Sequence, residues 1–496
     1  MAKSCKELFA GIECTIIGNA DEKVEGIAYR SDKVKAGDAF FCIVGMKVDG
    51  HSFAQDAIDH GAHILVVERT LYLADATNVV EVVVSDTRKA MAAAAANFYD
   101  QPSHSFDLVG ITGTNGKTTT TYLVDHIVSS SGCMTGAIGT IGMRIGKNFR
   151  RAEHTTPESC DLQGMLAEMR DAGCDEVAME VSSHALDLKR TWGTKFAVTA
   201  FSNLTQDHLD YHKTFEAYFE AKALLFSSDY PARRVICIDD KWGRELLHRC
   251  SKAGEKIIST GFTSEALIHV VDVSYATTHT DVTLDVCGVH RSFTYPLVGR
   301  FNVSNVMLAF GIALQLGIDA DTIIKALSSA PQVPGRLQRI HSEHEGNLSV
   351  FVDYAHTPDA LIKAISSVKH LTDGQTYVVF GCGGDRDKTK RPIMGQAALN
   401  ADYAIVTSDN PRTEDPDEII HEVVEGMAEG TGRFSVEPDR RRAIALAINK
   451  APAGSSILVA GKGHEDYQLI GSEVRHFSDS EVVAEELEQA FGSAQE

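Results

Sequence analysis

The chain has 496 residues, 44% hydrophobic and 23% charged, which is too long for one core and points to two to four domains of ordinary globular composition. A formal charge of −21 argues against a general nucleic-acid binder, which needs a basic face. No uncharged apolar run approaches the ~18 residues of a membrane span, and Met1–Ala10 lacks the apolar core of a secretory signal.

The first hundred residues predict short strands, Asp38–Val44 among them, and an Ala-rich helix over Thr87–Tyr99. Gln101–Pro102 then punctuates the chain. From Asp107 the pattern becomes strand, glycine turn, helix: Leu108–Thr112 is apolar, Gly113 and Gly116 follow, and Lys117–Ser129 has helical spacing. Further apolar runs at Glu176–Val181, Phe196–Phe201 and Arg234–Ile238, with helical stretches between, predict a mostly parallel sheet covered by helices. Residues 268–298 alternate apolar and polar (Val282, Leu284, Val286) and predict antiparallel hairpins.

A third unit is expected to start near Pro331–Pro334, with apolar runs at Leu348–Val352, Thr376–Phe380, Tyr403–Thr407 and Ser456–Ala460. Each ends in a polar or glycine-rich turn: Asp353–His356, Gly381–Asp385, Ser408–Arg412 and Gly461–Glu465. Ligands of open α/β sheets bind beyond the carboxyl ends of the strands, so four such turns predict one site built along a rim. The expected fold is α/β in three domains. Residues 1–104 come first, then 105–331 with a P-loop-type mostly parallel sheet and an antiparallel addition, then a Rossmann-like 332–496. The ten cysteines are scattered, without a Cys-x-x-Cys pair, and most lie in apolar segments; this predicts reduced, buried thiols in a cytoplasmic protein.

The motif richest in chemistry is Gly110-Ile-Thr-Gly-Thr-Asn-Gly-Lys-Thr-Thr119. A glycine turn between strand and helix lets backbone N–H groups approach phosphate oxygens, and the helix N-terminus adds partial positive charge. Lys117 can reach the β/γ-phosphates and the Thr118 hydroxyl can hold Mg²⁺. The outer glycine stands one residue early for a strict Gly-x4-Gly-Lys-Thr. Glu180 ends a predicted strand and reads as a Mg²⁺ ligand or as a solvated acid. His208, within Asn203-Leu-Thr-Gln-Asp-His-Leu-Asp-Tyr-His212, reads as a ligand or as a structural histidine. Lys222, inside the apolar helical pattern Tyr218–Phe226, reads from pattern alone as a lysine snorkelling to water.

Five segments together, Thr112–Thr119, Asn203–Asp210, Gly299–Asn305, Asp353–His356 and Gly461–Glu465, resemble the Mur ligases of bacterial peptidoglycan synthesis, in order and at matching spacing. The turn Asp409-Asn-Pro411-Arg412 resembles that of the members adding meso-diaminopimelate to UDP-N-acetylmuramoyl-L-alanyl-D-glutamate. The resemblance implies ATP-dependent activation of a carboxylate as an acyl phosphate, followed by attack of an amine. It implies nucleotide contacts from Gly113, Thr114, Asn115, Gly116, Lys117, Thr118, Thr119, Asn302, Arg336 and Asp353. It implies two Mg²⁺ sites drawn from Thr118, Glu180, His208 and Lys222, the last as a carbamate derived from CO2. Lys117, Glu180, His208 and Lys222 are then the expected catalytic set. Thr155, Thr156, Ser182 and Arg190 match contacts to the muramoyl-dipeptide, while Leu188 stands where the family often carries Gln. Ser31 and the loop Met46–Val48 match the uridine-diphosphate site. Arg386, Asp409, Asn410, Pro411, Arg412, Gly461 and Glu465 match the diaminopimelate pocket, where arginines grip a carboxylate bidentately and Glu465 pairs with an ammonium. A cytoplasmic monomer is expected, without nucleic-acid or membrane partners. Two other readings are a folylpolyglutamate-synthetase-like ligase and a non-catalytic scaffold homologue like those of plastids. The turn at Asp409–Arg412 argues against the first, and the presence of Lys117, Glu180 and Lys222 against the second.

Overall fold

The computed structural model describes residues 2–45, 48–71, 79–151, 154–252, 256–341 and 347–492. The chain packs as two compact units. Unit 1 comprises Met1–Leu204, His208–Ser259 and Leu308–Asp319; unit 2 comprises Thr205–Asp207, Thr260–Met307 and Ala320–Glu496. Among the described residues no helix is long and apolar enough to cross a membrane. All ten cysteines are free thiols; seven are buried, while Cys133 and Cys287 are exposed.

Unit 1 begins with a five-stranded sheet in the order Cys14–Ile17, Val80–Val84, Ile64–Val67, Asp38–Phe41, Gly26–Ala28, antiparallel at the first pair and parallel thereafter. Ile64–Val67 is buried throughout, as expected of a parallel strand covered on both faces. The helix Thr87–Phe98 opens on Asp86, whose carboxylate caps Lys89 N, and it buries its alanines against this sheet. After Pro102 the second sheet of the unit is laid around the strand Asp107–Thr112. Its neighbours are Glu176–Glu180 on one side and Val198–Phe201 on the other, both parallel to it. Thr135–Ile138 and Arg233–Cys237 extend the two flanks. Register brings Glu180 opposite Ile111 and Phe201 opposite Thr112, so three strands end together where the glycine turn begins.

The strand Ile257–Gly261 carries the chain from one unit to the other. In unit 2 the strands Ile268–Tyr275, Thr280–Val286 and Val289–Tyr295 form the expected antiparallel meander, with Thr280, Val282, Leu284 and Val286 inward. A six-stranded sheet follows, in the order Gln338–Ile340, Ser349–Asp353, Ser456–Ala460, Thr376–Phe380, Tyr403–Val406, Phe434–Val436, parallel except at the first pair. Alternation sends Phe351, Val378, Phe380 and Leu458 to one face and Val350, Val352, Tyr377, Val379, Ile457 and Val459 to the other. The helices Pro358–Lys369, Lys390–Ala398 and Pro416–Glu425 cover the first face; Arg440–Lys450 and Asp479–Phe491 cover the second. The strand of this sheet latest in the chain, Ser456–Ala460, lies between Ser349–Asp353 and Thr376–Phe380, so the turn that leaves it emerges among turns from earlier in the chain.

Glu176 is an anomaly in this core. It starts a fully buried strand, and neither carboxylate oxygen has a hydrogen-bond partner among the described residues. Burial first, then the nearby Asp125 and Asp107, push its pKa well above the ordinary 4.5, against a smaller opposing pull from Arg144. A raised carboxyl pKa costs stability as pH climbs from the unfolded value toward the folded one, because the folded state keeps a proton the unfolded state has lost. Glu176→Gln is therefore expected to melt above the wild type at pH 8, by about 2–4 °C per kcal/mol recovered. The gap should close as pH falls toward 4.5; thermal scans across that range check it, and a gap that widens at acid pH contradicts it.

Candidate active site

The glycine turn in unit 1 is held by its neighbour strand. Gly113 has φ 143°, and a Cβ there would lie 1.9 Å from Ser202 Oγ. Gly116, at φ 88°, turns the chain into the helix Lys117–Ser130. Asn203 fastens the turn from outside. Its carbonyl accepts from Thr114 N at 2.8 Å, its Oδ1 from Asn115 N at 3.0 Å, and its Nδ2 donates to Asn115 O at 3.0 Å. Ser202 Oγ donates to the same Asn115 carbonyl at 2.6 Å.

Two lysine ammonium groups converge on one carbonyl. Lys117 Nζ donates to Gly113 O and Thr114 O, both at 2.9 Å, and Lys222 Nζ donates to Gly113 O at 2.8 Å. Lys222 comes from the helix Phe215–Ala223, lies 4.6 Å over the Tyr218 ring and is only 1% exposed. The snorkelling read from its sequence pattern is thus overturned: the side chain points into the core, because its helix packs that face toward the turn. Thr114 Oγ1 and Tyr218 OH lie 3.2 Å apart, tying the same helix to the loop. Thr118 is buried at the helix start.

Glu180 is not a solvated acid. It is 1% exposed, and Thr140 donates to both its oxygens, N to Oε1 at 2.8 Å and Oγ1 to Oε2 at 3.1 Å. Thr140 Oγ1 lies 3.1 Å from Thr155 Oγ1. Thr156 Oγ1 donates to Glu180 O at 2.9 Å and accepts from Ser182 N at 3.0 Å. Arg190 donates to Thr156 O at 2.9 Å and pairs with Glu158 at 2.7 Å. The structure therefore joins Thr155, Thr156, Ser182, Arg190 and Glu180 in one hydrogen-bonded set. Leu188, half-buried, caps the short helix Ser183–Asp187 beside it. His208 holds a left-handed backbone, φ 52°, costly for a residue with a Cβ. Its ring stacks edge-on to His184 at 4.8 Å. Burial holds His184 and His212 below the ordinary imidazole value, so both are neutral near pH 7. Ser31 opens the short helical turn Ser31–Lys33. Of the loop Met46–Val48, only Val48 is among the described residues, and it is exposed.

Among the described residues no three His, Cys, Asp or Glu gather to hold a metal ion. Thr118 and Glu180 instead offer hard oxygen donors of the kind that suit Mg²⁺, an ion that takes its remaining ligands from phosphate and water.

Unit 2 carries a second set. Asp353 ends its strand buried, accepting from Leu337 N at 2.6 Å and Ala355 N at 2.8 Å; burial raises its pKa despite Arg336. The Arg336 guanidinium lies 4.8 Å over the Tyr354 ring. Asn302 is fixed separately at the start of its helix, donating to Val298 O and accepting from Asn305.

Three of the four polar turns are cross-linked. Asn410 Nδ2 donates to Glu465 Oε2 at 2.9 Å. Gly461, φ 118°, leaves room for Asp409, whose Oδ2 would meet a Cβ there at 2.6 Å. A Cβ on Gly384 would meet Pro411 O at 1.9 Å. Arg412 adopts φ 53°, pinned by its N–H to Leu469 O at 3.0 Å and by Nη1 to Gly384 O at 2.7 Å. Glu414, just after Ser408–Arg412, clamps that turn to Gly381–Asp385: it accepts from Asp385 N and from buried Arg391, which also pairs with Glu422 at 2.7 Å. Arg386 stands apart, exposed and donating to Asp385 O. Sequence reasoning passed over Asn203 as a brace, Thr140, Glu158 and Lys462. Asn203 and Lys462 lay within quoted motifs, whereas Thr140 sits in a plain glycine turn with no signal.

A phosphate-binding turn on a parallel sheet, followed by a separate α/β sheet whose turns carry paired arginine and carboxylate groups, defines a nucleotide-dependent ligase. The chain belongs to the Mur ligase family. It matches the Mur ligase middle domain over residues 111–313, the Mur ligase glutamate ligase domain over 335–463 and the Mur ligase family catalytic domain over 23–99. It is 40% identical to a UDP-N-acetylmuramoyl-L-alanyl-D-glutamate--2,6-diaminopimelate ligase of Clostridium acetobutylicum, over 96% of this chain and 97% of that protein. It is 44% identical to the ligase of that name from Trichormus variabilis, over 93% and 94%. A solved structure of a ligase of that name superposes with a TM-score of 0.71 at 33% identity, covering 99% of both chains.

Asn203→Ala removes both side-chain bonds to Asn115. It is expected to weaken ADP binding by about tenfold, the cost of about 1–2 kcal/mol of lost loop order, in a titration of the folded enzyme; unchanged affinity would show that the turn holds itself.

Proposed function

We propose that this chain is an ATP-dependent ligase that joins meso-2,6-diaminopimelate to the D-glutamate γ-carboxylate of UDP-N-acetylmuramoyl-L-alanyl-D-glutamate, forming ADP and phosphate in peptidoglycan precursor synthesis. The observation that carries the reading is Arg412, held at positive φ two residues after Asn410, whose side-chain amide reaches Glu465. The amine has two carboxylates and two ammonium groups. A guanidinium grips its distal carboxylate and Glu465 its distal ammonium. Lysine lacks that carboxylate, so the Arg412 charge would be desolvated without a counter-anion.

Unit 1 carries the groups for acyl-phosphate formation. A γ-carboxylate oxygen attacks the ATP γ-phosphorus, the bond to the β-phosphate oxygen breaks, and ADP leaves. Two anions must meet, so positive potential is needed; Lys117, the backbone N–H groups of residues 113–119 and the helix N-terminus supply it. Thr118 and Glu180 would hold one Mg²⁺ and His208 would help hold a second, and the ions would shield phosphate charge. We assign to Lys222 a carbamate, which turns a cation into an anionic ligand; its burial against the phosphate turn supports this. The Thr155–Arg190 set orients the muramoyl-dipeptide, and Ser31 with Met46–Val48 the uridine end. Asn302, Arg336 and Asp353 contact the nucleotide. In the second step the neutral amine attacks the acyl carbon, loses a proton, and phosphate leaves. Functionally the chain divides at 1–104, 105–331 and 332–496, and the enzyme works in the cytoplasm as a monomer.

Arg412→Ala should raise KM for diaminopimelate about 100-fold, as loss of a charged bidentate contact implies, and leave KM for ATP within about twofold. Equal effects on both sink the pocket assignment. Lys222→Ala should lose turnover and regain part of it with added short carboxylates; a fully active variant refutes the carbamate.

A further inference from the structure

Lys462 lies in the turn Gly461–Glu465, and none of its side chain reaches solvent. A buried ammonium is costly unless it is paired and fully hydrogen-bonded. Lys462 Nζ donates to Tyr467 O, lies 3.4 Å from Asn410 Oδ1 and 3.5 Å from Glu465 Oε2. Asn410 closes the triangle, because its Nδ2 donates to the same Glu465 oxygen at 2.9 Å. The amide orientation is dictated: Oδ1 also accepts from Leu469 N at 2.9 Å, so the flipped amide would set NH2 against an ammonium and a backbone N–H. Glu465 Oε2 is thereby committed, while Oε1 accepts no hydrogen bond among the described residues.

We propose that Lys462 is a positioning and specificity residue of the amine site, holding Asn410 and Glu465 in one arrangement that leaves Glu465 Oε1 for the distal ammonium of the substrate. The assignment rests on the amine pocket proposed above. Charge matters as much as geometry. Burial raises the Glu465 carboxyl above its ordinary value, Asp409 adds to this, and Lys462 is the foremost group pulling it back. Tyr354 and Arg440 are the other titratable or charged groups that sense it. Without the Lys462 ammonium, Glu465 takes up its proton at higher pH, and a neutral carboxyl attracts an ammonium far less.

The test uses the full-length enzyme with ATP, the muramoyl-dipeptide and diaminopimelate. Lys462→Met should raise KM for diaminopimelate about tenfold or more, leave KM for ATP within about twofold, and move the acid limb of kcat/KM for the amine to higher pH. A merely structural role would lower stability or kcat without moving that limb. In a Glu465→Gln background the same substitution should change the amine KM less than about twofold, since Lys462 acts through Glu465. If Lys462→Met, which leaves Tyr467 O without its donor, does not fold, Lys462→Gln can still donate to that carbonyl and serves the same test. An unmoved acid limb with wild-type amine KM overturns the proposal, as do effects that multiply with Glu465→Gln. Wild-type enzyme that releases no phosphate with diaminopimelate overturns the functional reading itself, and this assignment falls with it.

Discussion

The parallel pairing of Asp107–Thr112 with Val198–Phe201 is the constraint on which the nucleotide half depends. Phe201 opposite Thr112 sets Ser202 and Asn203 against the glycine turn. Three hydrogen bonds with Asn203, two accepted and one donated by it, and one donated by Ser202 then fix Thr114 and Asn115. The turn is pre-organised in this way, so little loop entropy remains to be lost when phosphate arrives. The same pairing brings Gly113 O to where Lys117 Nζ and Lys222 Nζ meet. A glycine is required there because any Cβ would collide with Ser202 Oγ.

The charge balance follows a similar logic. A chain of net charge −21 must handle triphosphate, a nucleotide-linked carboxylate and a dicarboxylate amine. It does so with local cations and oriented N–H groups, and two buried arginines brace the turns of unit 2. Arg391 with Glu414 and Glu422 ties the turn before Arg386 to the turn that carries Arg412. Arg440 and Asp479, both fully buried, form a bidentate pair whose guanidinium also donates to Ala460 O, directly beneath Gly461. Such pairs hold geometry more than they add stability.

Much of this was legible in the sequence because it is local. The strand–turn–helix at Asp107–Ser130, the alternation at Thr280–Val286 and the four strand-end turns all follow from short-range patterns, with element ends differing by one or two residues. What was illegible depends on partners far along the chain. Asn203 and Asn115 are 88 positions apart, and Arg440 and Asp479 are 39 apart. Periodicity placed Lys222 on a helix but could not say that its face turns inward. The left-handed backbone of Arg412 likewise follows from what surrounds it, since arginine does not favour positive φ; His208 is of a type that visits this region more often, yet pattern alone did not mark it.

The account turns on one coupling: a phosphate-binding turn in unit 1 that activates a carboxylate, and an amine pocket in unit 2 that admits a dicarboxylate diamine. The most direct measurement is phosphate release from ATP with UDP-N-acetylmuramoyl-L-alanyl-D-glutamate, comparing meso-diaminopimelate with lysine at equal concentration. Rapid release with diaminopimelate and little with lysine is the predicted result. Equal rates with the two amines, or no release with either, would contradict it.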